Sequence, residues 1–316
     1  MLKYILKRLG LMLLTFSVIM VICFVLIKKL PLPVPKSFGQ DLDLIFQRRE
    51  QLGYNKPILV QMWRYVKAIF QYRYFGTSET LKPGKDVWEV FVEKLPATMI
   101  VNIYAMILSV PLGLLFGIYA ALRKNKWQDH IISTGVMIIV SVPSYVYAVI
   151  IQFLLCYKLG WLPFQMNLKA GFLTWEMFKS ILAPVLCLSF GTIAGLTRYT
   201  RAELTEVLTS DFMLLARTKG LTKRQATTRH ALRNAMVPIL PMIVGEFIGI
   251  ISGSLIIENI FTIPGVGGLY LDSINALDYN FFLLLTGFYT FVGLLSNILI
   301  DISYGFIDPR IRMGAR

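Results

Sequence analysis

The chain has 316 residues, of which 56% are hydrophobic and only 16% charged, and its mean hydropathy is +0.62. One soluble core of this size cannot hide so much apolar surface, which excludes a soluble enzyme, a disordered chain and a secreted disulfide scaffold. The net charge of +14 would suggest nucleic acid in a soluble protein, but in a membrane protein it first of all records topology.

A helix needs about twenty apolar residues to cross the hydrocarbon core. The first uncharged run, residues 9–27, follows Lys3, Lys7 and Arg8 and so imitates a signal peptide. It is longer than the apolar stretch of such a peptide, and Lys28-Lys29-Leu30-Pro31 stands where a cleavage site would be, so it reads as a retained anchor. Residues 31–96 predict a small external helical layer. Pro31-Leu32-Pro33-Val34-Pro35 is a stiff connector, and a short helix over 41–52 ends before Gly53. Ile58, Met62, Val66, Ile69 and Phe70 give a helical stripe, and Asp86-Val87-Trp88-Glu89 has the form of a capping box. This layer reads equally as a lid over helix ends and as a docking surface for an outside partner.

Further runs follow at 97–122, 131–157, 180–197, 235–257 and 279–300, the fifth of the six broken only by Glu246. The expected fold is therefore an all-α integral membrane protein with six transmembrane helices and the external layer between helices 1 and 2. The chain divides into an N-terminal tip and first helix (1–30), the external segment (31–96), a five-helix core (97–307) and a tail (308–316). Within the core lie a cytoplasmic loop, 198–235, and an external loop, 258–280. With the N-terminus inside, the short inner segments hold 17 Lys and Arg and the short outer ones 3; the 12 in the long outer segment carry little weight. Both termini are thus expected in the cytoplasm.

The loop over 198–234 carries eight basic residues and three acidic ones, Glu203, Glu206 and Asp211. A helix from about Asp211 to Lys219 stops at Gly220. A second starts at Thr222, where Thr222-Lys223-Arg224-Gln225 has the capping-box pattern, and runs to Asn234, with Pro238 and Pro241 marking the entry to the fifth span. Two helices joined at a glycine could press into a groove on a soluble partner, or lie as a basic loop on anionic headgroups. The loop over 258–280 has no Lys or Arg, and its turn at Ile263-Pro264-Gly265 suggests a segment dipping back towards the pore or a hairpin under a partner.

Catalytic and metal sites are not expected. No Gly-x4-Gly-Lys-[Ser/Thr] phosphate loop occurs, His130 and His230 lie at cytoplasmic edges, and Cys23, Cys156 and Cys187 read as small buried hydrophobes. Glu246 is the one acid in mid-span. Its insertion costs about 2.5–3.5 kcal/mol, so it should face a pore, a partner or a proton, and it is the candidate on a translocation path.

Residues 211–221, Asp-Phe-Met-Leu-Leu-Ala-Arg-Thr-Lys-Gly-Leu, followed by Arg229-His230-Ala231-Leu232-Arg233-Asn234-Ala235 and Pro238, resemble the cytoplasmic coupling loop of ABC-importer permeases. The match is nearest to the B-type member of the dipeptide/oligopeptide/nickel family. Leu52-Gly53-Tyr54-Asn55-Lys56-Pro57, Phe75-Gly76-Thr77-Ser78, Leu95-Pro96-Ala97-Thr98, the stretch from Glu258 to Gly265, and Asp308-Pro309-Arg310-Ile311-Arg312 follow the same family in order. The wider pattern's Glu-Ala-Ala is absent, with Ala216 and Gly220 alone in register, and Pro-Gly-Asp after the first span is replaced by Pro31-Leu32-Pro33-Val34-Pro35. The resemblance implies a non-catalytic subunit of a bacterial inner-membrane importer, most often of oligopeptides or dipeptides. It also implies a second homologous permease, two cytoplasmic ATPases that bind ATP and Mg in place of any cofactor here, and an extracytoplasmic binding protein. Ala216, Lys219, Gly220, Leu221, Arg224, Arg229, His230, Arg233 and Asn234 would couple to the ATPases. The alternatives are an ion-coupled secondary transporter using Glu246, a membrane scaffold without flux, or import of nickel chelates or other small solutes by the same architecture.

Overall fold

The computed structural model describes residues 2–30, 47, 50, 51 and 53–307. The proline connector, most of the helix expected over 41–52 and the tail 308–316 lie outside the described residues. The rest is helical almost throughout: α1 (Leu2–Lys29), α2 (Ile58–Tyr72), α3 (Val87–Leu122), α4 (Trp127–Ser141), α5 (Ser144–Ile151), α6 (Trp175–Leu208), α7 (Asp211–Thr218), α8 (Lys223–Ala226), α9 (Leu232–Gly249), α10 (Leu255–Ile260), α11 (Val266–Asn275) and α12 (Tyr279–Ile307). A π-helical turn, Gln152–Lys158, extends α5, and another, Thr227–Ala231, joins α8 to α9. Five helical runs are long and apolar enough to cross a bilayer, and α4 with α5 supplies a sixth crossing when the pair is taken as one span.

Two expected spans differ in shape. The run over 131–157 is not straight; α4 and α5 meet at 98°. Pro143 has no N–H to donate and forces Val142 into an extended conformation (φ −93°, ψ 124°), which ends α4. The run over 235–257 is not one helix either. α9 stops at Gly249, Gly253 turns the chain at φ +66°, and Ser254 starts α10 by accepting from the Ile257 N–H at 3.3 Å. Pro238 and Pro241, expected at the entry to this span, lie inside α9, and helix is continuous from Lys223 to Gly249. They remove two intrahelical donors without ending it, as membrane helices tolerate.

The closest helix pair is α3 against α6, and small residues make it so. Ala105, Ser109, Gly113, Gly117 and Ala121 recur every fourth residue along α3 and form a seam. A Cβ on Gly113 would sit 2.7 Å from the Leu196 Cβ, and one on Gly117 would sit 2.5 Å from the Thr200 Cβ and 2.9 Å from the Thr197 carbonyl oxygen. The backbones are near enough for side chains to bond across: the Thr197 hydroxyl donates to the Gly113 carbonyl (3.2 Å) and the Ser189 hydroxyl to that of Ala105 (3.1 Å). Bonds of this kind between membrane helices are worth about 0.6–2 kcal/mol.

The two ends of the bundle are built differently. At the basic end, Ala121, Leu204, Met213, Ala226, Ala231 and Ala235 form one buried cluster, and Arg8 of α1 pairs with Asp301 of α12 at 3.0 Å. At the opposite end, Val87 and Phe91 of α3 pack on Val266 and Leu269 of α11 and on Phe281 and Leu285 of α12. There α2 lies against α1 and α12, with Met62 and Tyr65 on Phe24, Ile27 and Leu283.

Asp278 ties that end to the segment before α3. It is wholly buried and caps α12, its own carbonyl accepting from the Phe282 N–H. One carboxylate oxygen accepts from the Ser78 hydroxyl (2.6 Å) and from the N–H groups of Glu79, Thr80 and Leu81 at 3.1–3.2 Å. Successive backbone donors converging on one oxygen make an anion nest.

The seam makes one clear forecast. Gly117→Leu should separate α3 from α6 and lower stability by more than the about 1–3 kcal/mol usual for overpacking, because backbone as well as side chain opposes the added atoms. Gly135→Leu, where a Cβ would meet nothing within 4 Å, is the control, and the thermal melting midpoint in detergent is the readout.

Candidate functional site

Residues 198–208, expected in the cytoplasmic loop, continue α6 as helix, and residues 209–231 form a compact platform on the ends of α3 and α6. Gly220, between α7 and α8, has φ +87°, and nothing lies within 4 Å of where its Cβ would be. The glycine is therefore required by backbone conformation, not by crowding. Next to it the full capping box is present. The Gln225 N–H donates to the Thr222 hydroxyl at 3.3 Å, and the Thr222 N–H donates to the Gln225 side chain at 3.0 Å.

Among the residues named for coupling, Lys219, Arg224, Arg229, His230, Arg233 and Asn234 are exposed, along with Gly220. Ala216 and Leu221 are not; they pack inward against the buried cluster at the basic end. The nine residues therefore split into a polar outer surface and two anchors beneath it. Three apolar side chains were missed: Phe212, Leu214 and Leu215 of α7 are all exposed. The signal was available, because Asp211–Thr218 has too many apolar residues for its one inward position, the buried Met213.

A second missed feature lies at the foot of the platform. Asp129 of α4 is buried, accepts a side-chain bond from Nη2 of Arg201 on α6 at 2.8 Å and receives the Asn125 N–H at 2.9 Å. The Nε of Arg201 completes a two-pronged pair. This clasp fixes the α3–α4 turn to the stem of the platform. Local sequence gives no sign of it, since Asp129 stands close to Arg123, Lys124 and Lys126 while its partner Arg201 lies 72 residues away.

Glu246, central to the run expected over 235–257, lies in the last turn of α9, and its side chain is exposed. It borders a cavity of about 300 Å³ lined also by Ser144, Tyr147, Thr192, Met242 and Ser254. It equally borders a second of about 160 Å³ that includes Asn102 and Ser109. Gly191, Gly195 and Gly249 line these cavities, and a Cβ on any of them would meet nothing within 4 Å. A small-residue surface on α6 and α9 therefore faces this concavity.

Glu258, by contrast, is closed in. It is 1% exposed, accepts from the Thr98 hydroxyl of α3 at 2.9 Å and from the Gly267 N–H at 2.8 Å, and Thr98 in turn accepts from the Val266 N–H at 2.8 Å. Gly253, Gly265 and Gly267 surround the carboxylate so closely that a Cβ on any of them would overlap it. Burial raises its pKa from the ordinary value, against the lowering effect of these bonds. The loop over 258–280 is thus a hairpin of α10 and α11 knotted to α3. Among the described residues no three His, Cys, Asp or Glu come together as a metal site.

Five spanning helices with a bent pair as a sixth, a capped two-helix platform at one end and a small concavity bearing one carboxylate mark a multi-pass membrane protein. The chain belongs to the family described as binding-protein-dependent transport system inner membrane component, whose pattern matches residues 113–313; residues 1–102 match that family's N-terminal membrane component. It is 35% identical over 316 residues to the dipeptide transport system permease protein DppB of Lactococcus lactis subsp. cremoris (strain MG1363), covering 99% of this chain and 100% of that one. It is 32% identical to DppB of Bacillus subtilis (strain 168) over 317 residues, 99% of each chain. To the glutathione transport system permease protein GsiC of Escherichia coli (strain K12) it is 30% identical over 318 residues, again 99% of each. A crystal structure of an amino acid ABC transporter with histidines aligns over 67% of this chain and 92% of that one, at 18% identity and a TM-score of 0.48. The protein is therefore an ABC-importer permease, a non-catalytic transport component of the inner membrane. Family membership sets aside the ion-coupled secondary transporter and the scaffold without flux.

The Glu258 knot gives a direct check. Glu258→Ala leaves the Gly267 N–H and the Thr98 hydroxyl without their acceptor, at about 1–3 kcal/mol for each orphaned group. We expect a lower melting midpoint and faster proteolysis within 258–280, whereas Asp272→Ala on the exposed face of α11 leaves both unchanged.

Proposed function

We propose that this permease imports short peptides, driven by separate ATPases that bind at the exposed platform. The observation that carries the reading is the platform itself: a rigid turn at Gly220, a complete capping box at Thr222 and a basic polar surface. Beneath these, Ala216 and Leu221 key the surface into the bundle. Because α8, the π-turn and α9 are one helical run, a push on Arg224, Arg229 or Arg233 is transmitted along α9 to Glu246 without an intervening loop. The named relatives support peptide cargo, two as dipeptide permeases. Glutathione, itself a tripeptide, is the second reading, because the GsiC relatives match the same length of chain.

In this reading the basic end faces the cytoplasm, in keeping with the 17 to 3 distribution of Lys and Arg over the short loops. ATP and Mg are held by the partner ATPases. A second homologous permease closes the concavity around Glu246, and an extracytoplasmic binding protein delivers cargo at the opposite end, where α2 and the α10–α11 hairpin lie. Closure of the ATPases on ATP moves the platform, and the spans tilt with it.

Two measurements check this. A mild-detergent pull-down from native membranes should recover a second six-span chain and two phosphate-loop ATPases; recovery of the chain alone, even after crosslinking, overturns the reading. Gly220→Val should abolish uptake while leaving membrane insertion intact, because a β-branched residue is strained at φ +87°. Gly220→Asn, which accepts that conformation more readily, should retain most of the uptake. Normal uptake by the valine variant removes the platform from the coupling path.

A further inference from the structure

Four acids at the ends of the spans are bonded to groups elsewhere in the fold. Asp129 is held by Arg201, the Asn125 N–H and the Ser133 hydroxyl. Glu258 is held by Thr98 and Gly267, Asp278 by the nest of residues 78–81, and Asp301 by Arg8. Each of these is fastened to another part of the same chain. Glu246 differs, since its carboxylate receives one hydrogen bond, from the Thr192 hydroxyl at 3.3 Å, and otherwise opens onto the two cavities it separates. No Lys, Arg or His lines either cavity.

A carboxylate in mid-span with no cation of its own is costly and calls for a counter-charge from outside the chain. The surroundings limit what that counter-charge is. Thr192 bonds Glu246, and the hydroxyl-bearing side chains Ser144, Tyr147 and Ser254 line the same cavity. A bare metal ion such as nickel is poorly served here: Cys187 lines the larger cavity with Glu246, but among the described residues no group of three His, Cys, Asp or Glu forms a metal site. A primary ammonium is well served, because its three donors match one anionic oxygen and neighbouring neutral acceptors. The void of about 300 Å³ has the size of a small-ligand subsite, and the glycines at 191 and 195 keep its wall open.

We propose that Glu246, with Thr192 beside it, is a cargo subsite that recognises a primary ammonium, the α-amino group of the peptide in transit. This rests on the peptide-importer reading above. Because Glu246 sits on α9, the helix that continues into the platform, the subsite moves with the element that the ATPases push. A single charge–charge contact flanked by hydroxyls is strong enough to orient the cargo and weak enough to let it leave.

The test uses the full complex in proteoliposomes, with its binding protein, and two probes: trialanine and N-acetyl-trialanine, each at a concentration saturating the binding protein. Glu246→Gln keeps the shape and removes the charge. It should lower trialanine uptake by about tenfold, in line with loss of a hydrogen bond to a charged group, while leaving N-acetyl-trialanine uptake unchanged. Glu246→Asp should recover part of the trialanine rate. Equal losses for both probes, or no loss for either, overturn the subsite. So does loss of the second permease from the Glu246→Gln complex, which would show that Glu246 pairs with that chain instead of the cargo. If the wild-type complex assembles without ATPases, or shows no ATP-dependent uptake of trialanine, the importer reading itself fails, and the Glu246 comparison is not what fails it.

Discussion

The architecture depends on how closely α3 and α6 approach. Lipid offers no hydrophobic reason for two apolar helices to associate, so packing and hydrogen bonds must hold them. The seam of Ala105, Ser109, Gly113, Gly117 and Ala121 supplies both, since it admits the α6 side chains and brings Ser189 and Thr197 within reach of α3 carbonyls. Everything functional is then positioned from these two helices. Thr98 near one end of α3 receives the Glu258 knot, Thr192 on α6 reaches Glu246, and Arg201 further along α6 clasps Asp129.

The buried carboxylates show a consistent logic. In a region without water, an unpaired polar group costs several kcal/mol, so irregular backbone persists only where something satisfies it. Asp278 satisfies the N–H groups of the turn at residues 79–81, and Glu258 satisfies the Gly267 N–H at the start of α11. Each acid thereby makes an irregular connecting segment a fixed part of the bundle. The glycines around Glu258 follow from the same requirement, since any side chain at 253, 265 or 267 would occupy the space of the carboxylate. The same reasoning singles out Glu246, which satisfies no loop.

How much of this was legible in the sequence depends on the range of the interaction. The six apolar runs, the capping box at Thr222 and the turn at Gly220 are local, so composition and spacing within a few residues revealed them. The 98° bend needed only Pro143, yet a run of 27 uncharged residues over 131–157 masked it. The continuation of α8 into α9 went the other way: Pro238 and Pro241 looked like punctuation, and the membrane helix absorbed them. The four-residue period of the seam was present in the sequence but submerged in a long uncharged, mostly apolar run. The joints of Asp129, Glu258 and Asp278 span 72, 160 and about 200 residues, a separation at which local pattern carries no signal.

These joints also explain how the molecule can be both rigid and mobile. The contacts of Asp129, Glu258, Asp278 and Asp301 with the rest of the chain all lie towards the ends of the spans, where they hold turns, a hairpin and the α1–α12 pair. Between the ends the helices meet through glycine, alanine and hydroxyl contacts on one side and through open cavities on the other. A bundle pinned at its ends and lubricated by small side chains at its centre can tilt its helices without breaking a buried charge pair. The one mid-span charge, Glu246, is held by a single 3.3 Å bond to a neighbouring helix. In the proposed coupling it is therefore the charge whose environment changes most when α9 moves against α6, which is what suits it to the cargo subsite proposed for it.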